Sequence, residues 1–231
     1  MRKYFIVLGL LLIGFNAQSQ VLISLLLGDK LNTGGLEFGL EGGINLSKVS
    51  GLDANKRLAT FNLGFYFDIR LKNQWYLNTG VLVKSKLGID QLSATDLNFL
   101  QTDVYEQEGD YSQVINYFLV PALAKYKFKG HLYLEGGVQF GLMTNAWVEF
   151  NSDVEGKKAR IREYNKDMMN RLDAGMMVGF GYRLLKGTGM TLGLKYYYGF
   201  VDVYKDKAGS KNSSLFLKMN IPIGAGKKNG E

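Results

Sequence analysis

The side chains with most chemistry to offer are charges recurring at alternate positions between apolar neighbours. Glu37, Glu41, Asp68, Glu135 and Asp173 are the carboxylates of this set, and Arg70, Lys84, Lys125, Arg183, Lys195 and Lys218 are its cations. Opposite charges brought to one secluded face must neutralise each other, because an unpaired charge away from water is too costly to keep. They could instead line a charge-selective conduit. A second group, Lys157, Lys158, Arg160, Arg162 and Lys166, crowds one connection and could grip the phosphates of lipopolysaccharide or another polyanion. It could equally pair with the acids of residues 88–112, namely Asp90, Asp96, Asp103, Glu106, Glu108 and Asp110, a stretch without Lys or Arg. Their spacing matches no calcium loop, so a solvated acidic loop is the reading.

Catalytic constellations are missing. His131 is the sole histidine, sits at a short turn and has no serine near it in sequence, so it reads as a turn residue rather than half of a Ser–His pair. One histidine and no cysteine exclude a His- or Cys-based metal centre, a disulfide scaffold and a lipoprotein anchor. Gly179-Phe180-Gly181 and Gly187-Thr188-Gly189 precede no helix and cradle no nucleotide. No enzyme, cofactor or metal is expected.

The elements that must carry the alternating charges are strands. From residue 35 onward, eight segments repeat apolar and polar residues with a period of two, the signature of strands with one apolar face. In the first, Leu36, Phe38, Leu40, Ile44 and Leu46 oppose Glu37, Gly39, Glu41, Gly43 and Asn45. In the seventh, Leu192, Leu194, Tyr196, Tyr198 and Phe200 oppose Gly193, Lys195, Tyr197 and Gly199. The fourth is less regular, because Tyr117, Leu119 and Leu123 interrupt its polar face. Connections alternate between short (72–74, 129–131 and 186–189) and long (47–58, 88–112, 151–170 and 204–212). Even strand number, short turns at one end and long loops at the other predict an all-β fold: an eight-stranded antiparallel up-and-down transmembrane barrel, short turns periplasmic and long loops extracellular.

A soluble barrel of the lipocalin kind would turn the apolar face inward around a ligand. Three features favour the membrane. The apolar faces are long and nearly uncharged, Trp75, Trp147, Tyr196 and Tyr198 lie near strand ends as interfacial aromatics do, and the polar face is rich in glycine. An eight-stranded interior is only wide enough to be filled by side chains, which favours a plugged lumen over a conduit.

The N-terminus has the layout of a secretory signal: Arg2 and Lys3, an apolar run from Tyr4 to Phe15, then Ala17-Gln18-Ser19 as a small-x-small cleavage site. The expected division is 1–19 signal peptide, 20–34 periplasmic segment, 35–224 barrel and 225–231 tail. Val21 to Leu27 is an apolar run outside the eight strands, read as packing at the periplasmic end. The formal charge of +7 falls to +5 without Arg2 and Lys3, since 26 basic then face 21 acidic residues. That surplus suits phosphate-rich headgroups and, lacking a recognition motif, does not argue for nucleic acid.

Two stretches carry a resemblance. Gly39-Leu40-Glu41-Gly42-Gly43-Ile44-Asn45-Leu46-Ser47 is similar to the first strand, and Tyr117-Phe118-Leu119-Val120-Pro121-Ala122-Leu123-Ala124-Lys125-Tyr126 to the mid-barrel strand, of the PorT-like outer-membrane β-barrel family of Bacteroidota-type bacteria. Residues 133–140, 173–182 and 195–199 extend the likeness over 35–224. One departure is the last strand, which ends Asn220-Ile221-Pro222-Ile223-Gly224 where such barrels usually end in an aromatic residue. The resemblance implies an outer-membrane location and leaves activity open. The expected role is a non-enzymatic, plugged barrel whose outer loops bind or brace the envelope. The alternatives are a PorT-like component of secretion or envelope assembly, or a narrow porin. Expected partners are outer-membrane lipid, with lipopolysaccharide or secretion and envelope proteins as further candidates; oligomeric state is left open.

Overall fold

The computed structural model describes residues 35–154, 156–184 and 189–223. The expected signal peptide, the 20–34 segment with its apolar run and the 225–231 tail lie outside the described residues. β1 (Leu36–Val49), β2 (Lys56–Lys72), β3 (Trp75–Asp90) and β4 (Asp110–Lys127) form a meander, with a short helix α1 (Ala94–Phe99) between β3 and β4. β5 (Leu132–Val154), β6 (Lys157–Tyr164), β7 (Leu172–Arg183), β8 (Thr191–Asp202) and β9 (Lys211–Pro222) follow. Every pairing is antiparallel; β1 meets β9 and β4 meets β5, so eight strands close into a ring. β6 lies outside that ring and, among the described residues, pairs only with β5.

The ninth strand corrects one expectation. Residues 151–170 were expected as a loop, but β5 runs past the barrel wall and folds back through β6, pairing Trp147 with Tyr164 and Glu149 with Arg162. Alternating residues such as Arg160-Ile161-Arg162 suit a two-faced hairpin.

Solvent decides which face is which. Ile44, Phe61, Leu134, Val178, Phe180 and Leu217 point away from the ring, and Phe140 on the same wall is 53% exposed. Glu41, Lys125, Glu135, Lys195 and Lys218 point inward, and Lys218 is 2% exposed. An apolar exterior about a charged interior needs lipid around it. No helix among the described residues is long and apolar enough to cross a membrane, so the crossing elements are strands.

Two bulges reset this alternation. Leu82 opposes Leu119 while Ser85 opposes Tyr117, which inserts one extra residue into β3. Such an insertion shifts the parity of every later side chain. Beyond it Leu87 and Ile89 face in, whereas Lys84 faces out. In β5 the break between Asn116 and Tyr117 of its partner does the same around Thr144, and Val148 and Phe150 turn inward beyond it.

The interior is filled in two tiers. In the extracellular half, Leu82, Tyr117, Leu119, Leu123, Met177, Tyr197 and Phe216 form an apolar plug, capped from above by Leu97 and Leu100 of the α1 region and by Tyr204. The residues that interrupt the polar face of the fourth strand are thus the plug itself. Tyrosines fill the narrow bore by lying over glycines. A Cβ on Gly39 would stand 2.6 Å from the Tyr66 ring, and one on Gly175 would stand 2.7 Å from the Tyr197 ring.

Asp96 ties the cap down. It closes a capping box with Ser93 at the start of α1 and accepts the backbone N–H groups of Asp53 at 2.8 Å and Ala54 at 3.0 Å. Burial pushes its carboxyl up, but the donors from Asp53, Ser93 and Ala54 outweigh this and hold it below the usual carboxylate range. A depressed carboxyl contributes stability that is present above its unfolded pKa of about 4 and is lost as pH falls through the lower folded value. The cap is therefore latched throughout the neutral range. Asp96→Ala is expected to raise amide exchange at Asp53 and Ala54 about tenfold at neutral pH, corresponding to roughly 1.4 kcal/mol of local opening. Unchanged protection would refute the latch.

Candidate functional site

The lower tier of the interior is an ion cluster built from six strands. Glu41 on β1 receives Lys195 of β8 at 2.7 Å and Lys218 of β9 at 3.7 Å. Lys218 also meets Glu135 of β5 at 2.7 Å, and Lys125 of β4 reaches the same carboxylate at 3.7 Å. Lys125 then joins Asp68 of β2 at 3.0 Å, and Lys127 closes on Asp68 at 2.7 Å from the periplasmic side. Asn78 of β3 donates to Asp68 at 2.7 Å. The Tyr133 ring lies between two cations, 4.4 Å from the Lys125 ammonium and 5.5 Å from that of Lys218. Glycine on β7 and β8 makes room for this tyrosine, since a Cβ on either Gly181 or Gly193 would strike it.

Alternation alone places these groups. Glu41, Lys125, Glu135, Lys195 and Lys218 each fall on the inward parity of a strand below the bulges, and the strand register brings Lys125 opposite Glu135. The remaining residues expected in the network go elsewhere. Glu37 and Arg183 pair with each other at the periplasmic mouth, where Tyr66 also donates to Glu37 at 2.9 Å. Asp173 is buried but accepts from Asn212 at 2.8 Å and has no ion-pair partner among the described residues. Arg70 is exposed, because β2 outruns the barrel there, and it donates to the Asn73 carbonyl at the turn. Lys84 is exposed on the outer wall, turned out by the β3 bulge. Lys127 was missed from sequence; its inward parity two residues after Lys125 was the available signal.

At the periplasmic end a cavity of about 130 Å³ opens beside this cluster, lined in part by Asp68, Lys127, His131 and Arg183. His131 adopts a left-handed turn conformation, φ 68°, and meets Tyr182 edge-on at 6.2 Å. No group of metal-ligating residues occurs among the described residues.

The basic stretch divides. Lys158, Arg160 and Arg162 lie on one face of β6 opposite carboxylates of β5: Arg162 meets Glu149 at 2.7 Å, Arg160 meets it at 3.6 Å, and Lys158 stands 3.9 Å from Asp153. Lys157 opens β6 and Lys166 lies in the 3-10 turn that follows. Burial pushes the Glu149 carboxyl up, but the hydrogen bond from Arg162 and the other donors win and hold it low. Among the described residues the acidic loop makes no ion pair with these cations, although Glu108 and Asp110 line a shared cleft with Lys158 and Arg160. It meets the other face of the hairpin, where Tyr105 donates to Glu163 at 2.8 Å; that bond, then burial, lifts the Tyr105 phenol to about 12. Trp147, expected in an interfacial belt, is covered by Arg162 and Lys86 at 5.0 and 5.4 Å from its ring. Trp75 does stand on the outer wall at the periplasmic end, against Tyr126.

A family model described as "Outer membrane protein beta-barrel domain" matches residues 16–205. The chain belongs to this family. Its place is the cell outer membrane, and the family is one of membrane barrels that are typically non-enzymatic. Several solved structures are similar. The Yersinia pestis attachment invasion locus protein Ail, in complex with the heparin analogue sucrose octasulfate, is 14% identical, with 82% of this chain and 99% of that chain covered and a TM-score of 0.46. Neisserial surface protein A is 11% identical over 81% and 96%, with a TM-score of 0.41. OprG from Pseudomonas aeruginosa is 12% identical over 81% and 93%, with a TM-score of 0.36. No curated protein matches the chain in sequence.

The ion cluster makes a sharp stability prediction. Removing one partner of a buried pair leaves a charge stranded at a cost of about 3–5 kcal/mol. Glu135→Ala removes the nearer partner of Lys218, leaving it only Glu41 at 3.7 Å, and leaves Lys125 only Asp68. Its urea unfolding midpoint in lipid vesicles should therefore fall well below that of Arg70→Ala. Equal midpoints for the two variants would show that the cluster contributes nothing.

Proposed function

We propose that this protein is a closed, non-conducting barrel that anchors an extracellular platform, the β5–β6 hairpin with the capped β3–β4 loop, for binding or bracing the envelope. The observation carrying this is the two-tier filling of the bore. An ion cluster joins six strands at one level, and at the next an apolar plug packs beside buried Asn45, Asn62, Asn212 and Ser214. Side chains fill the bore at both levels and leave no room for a hydrated solute. Tight ion pairing opposes transport further, since conduction needs sites that release their ions readily. The platform is rigid for a loop region: Tyr105, Tyr111 and Phe150 stack with centroids 4.7–6.5 Å apart beneath the hairpin.

A second reading is favoured by β6, whose outer edge has no strand partner among the described residues. An unpaired edge can accept a partner's strand, which suits a PorT-like component of secretion or envelope assembly. Loss of secretion on deletion, together with pull-down of secretion proteins by the intact chain but not by one lacking residues 155–164, would support that reading. Absence of both would remove it.

Conductance tests the closed barrel. Purified protein that shows heat-modifiable gel mobility is expected to give no stable single-channel current in planar bilayers. Stable currents would instead establish a narrow porin.

A further inference from the structure

The outer wall is not apolar all the way round. Where β3 leaves its bulge, Lys84 projects outward opposite Leu63 of β2, with no carboxylate partner among the described residues. Lys86 follows on the same side, opposite Asn116 of β4, which is in turn opposite Asn145 of β5. Thr144 is exposed beside them. The Lys86 ammonium and the Arg162 guanidinium cover the Trp147 ring, and among the described residues only Arg162 of the two has an acidic partner. On the same wall Phe61 of β2 lies just beyond Leu63, Phe118 of β4 stands level with Lys84 and Val120 lies below, all exposed, so the lysines sit at the upper edge of the lipid-facing belt. Above it lies the extracellular platform.

A lysine on the lipid side of a barrel is destabilising near the bilayer centre and nearly free of cost at the interface, where its long stem lets the ammonium reach the headgroups. The extracellular direction of this stretch of β3 puts those headgroups in the outer leaflet. Two cations without acidic partners at that level, set against amide and hydroxyl groups that can hold sugar oxygens, match a phosphorylated glycolipid. Arg and Lys together grip phosphate through charge-assisted hydrogen bonds.

We infer that Lys84, Lys86, Arg162 and Trp147 form a binding site on the outer wall for the phosphate-bearing headgroup of an outer-leaflet glycolipid of the lipid A type. This site is separate from the lumen and does not depend on whether the barrel conducts.

The chain has two tryptophans, so Trp75→Phe leaves Trp147 as a reporter inside the site. The Trp75→Phe protein in neutral detergent would be titrated with bisphosphorylated lipid A, with the same lipid after dephosphorylation, and with inorganic phosphate alone. A saturable change in Trp147 emission is expected with the bisphosphorylated lipid. Adding Lys84→Gln and Lys86→Gln should weaken it about thirtyfold, the effect of two headgroup-facing cations. Both lysines project from the wall, so the barrel should keep its heat-modifiable mobility; if the double variant does not, Lys84→Gln alone is read in the same titration, with about a fivefold loss expected. An equal response to the dephosphorylated lipid would overturn the site in favour of acyl-chain contact. An equal response to inorganic phosphate would reduce it to an unspecific anion effect and overturn it too. So would no saturable change, or a full response without the lysines.

Discussion

A ring of eight strands encloses a bore that side chains alone can fill, and an ionisable group turned inward must find a counter-charge there or, as Asp173 does with Asn212, a hydrogen-bond donor. Glu41, Asp68 and Glu135 meet that demand through Lys125, Lys195 and Lys218 at 2.7–3.7 Å. The cluster is a cross-brace: no member has its partner on its own strand, and Lys218–Glu135, Lys195–Glu41 and Lys125–Asp68 each reach past a neighbouring strand across the curved wall. Lipid outside supplies no water to a strand that peels away, which makes closure the condition for both the backbone ladder and the charges.

Above the brace the chemistry changes from ionic to apolar within the same wall. Tyr117, Leu119 and Leu123 point inward on β4 just as Lys125 does, and their neighbours from β3, β7 and β8 complete a small hydrophobic core inside a membrane protein. This core resembles that of a soluble domain, and the α1 region seals it from the aqueous side as a helix would cap any core. The extracellular half is therefore stabilised by burial, the periplasmic half by pairing, and the outside by lipid.

Much of this was legible in the amino-acid order. Period-two alternation located the eight strands of the ring and the outward sense of Phe140 or Val178, because those depend on pattern alone. Asp68, Lys125 and Lys195 could be placed inside by the same parity. Lys84 could not, because one extra residue between Leu82 and Ser85 inverts the count and leaves no compositional mark. The hairpin through β6 was hidden for another reason: charges at alternate positions look like a solvated loop when neither face is fully apolar. Arg70 fell outside the lumen because the alternation continues beyond the point where the strand leaves the ring.

The glycine–tyrosine contacts bear on how the strands choose their neighbours during assembly. Sliding β2 along β1 by two residues would keep every apolar group facing lipid, so hydropathy imposes no penalty on that error. Steric fit does: Tyr66 faces Gly39 in the observed register, and the displaced one would set it against Glu37 or Glu41, each with a side chain where the ring must lie. The absence of a single Cβ thus serves as a proofreading device, rejecting the mispairing that the membrane itself would accept.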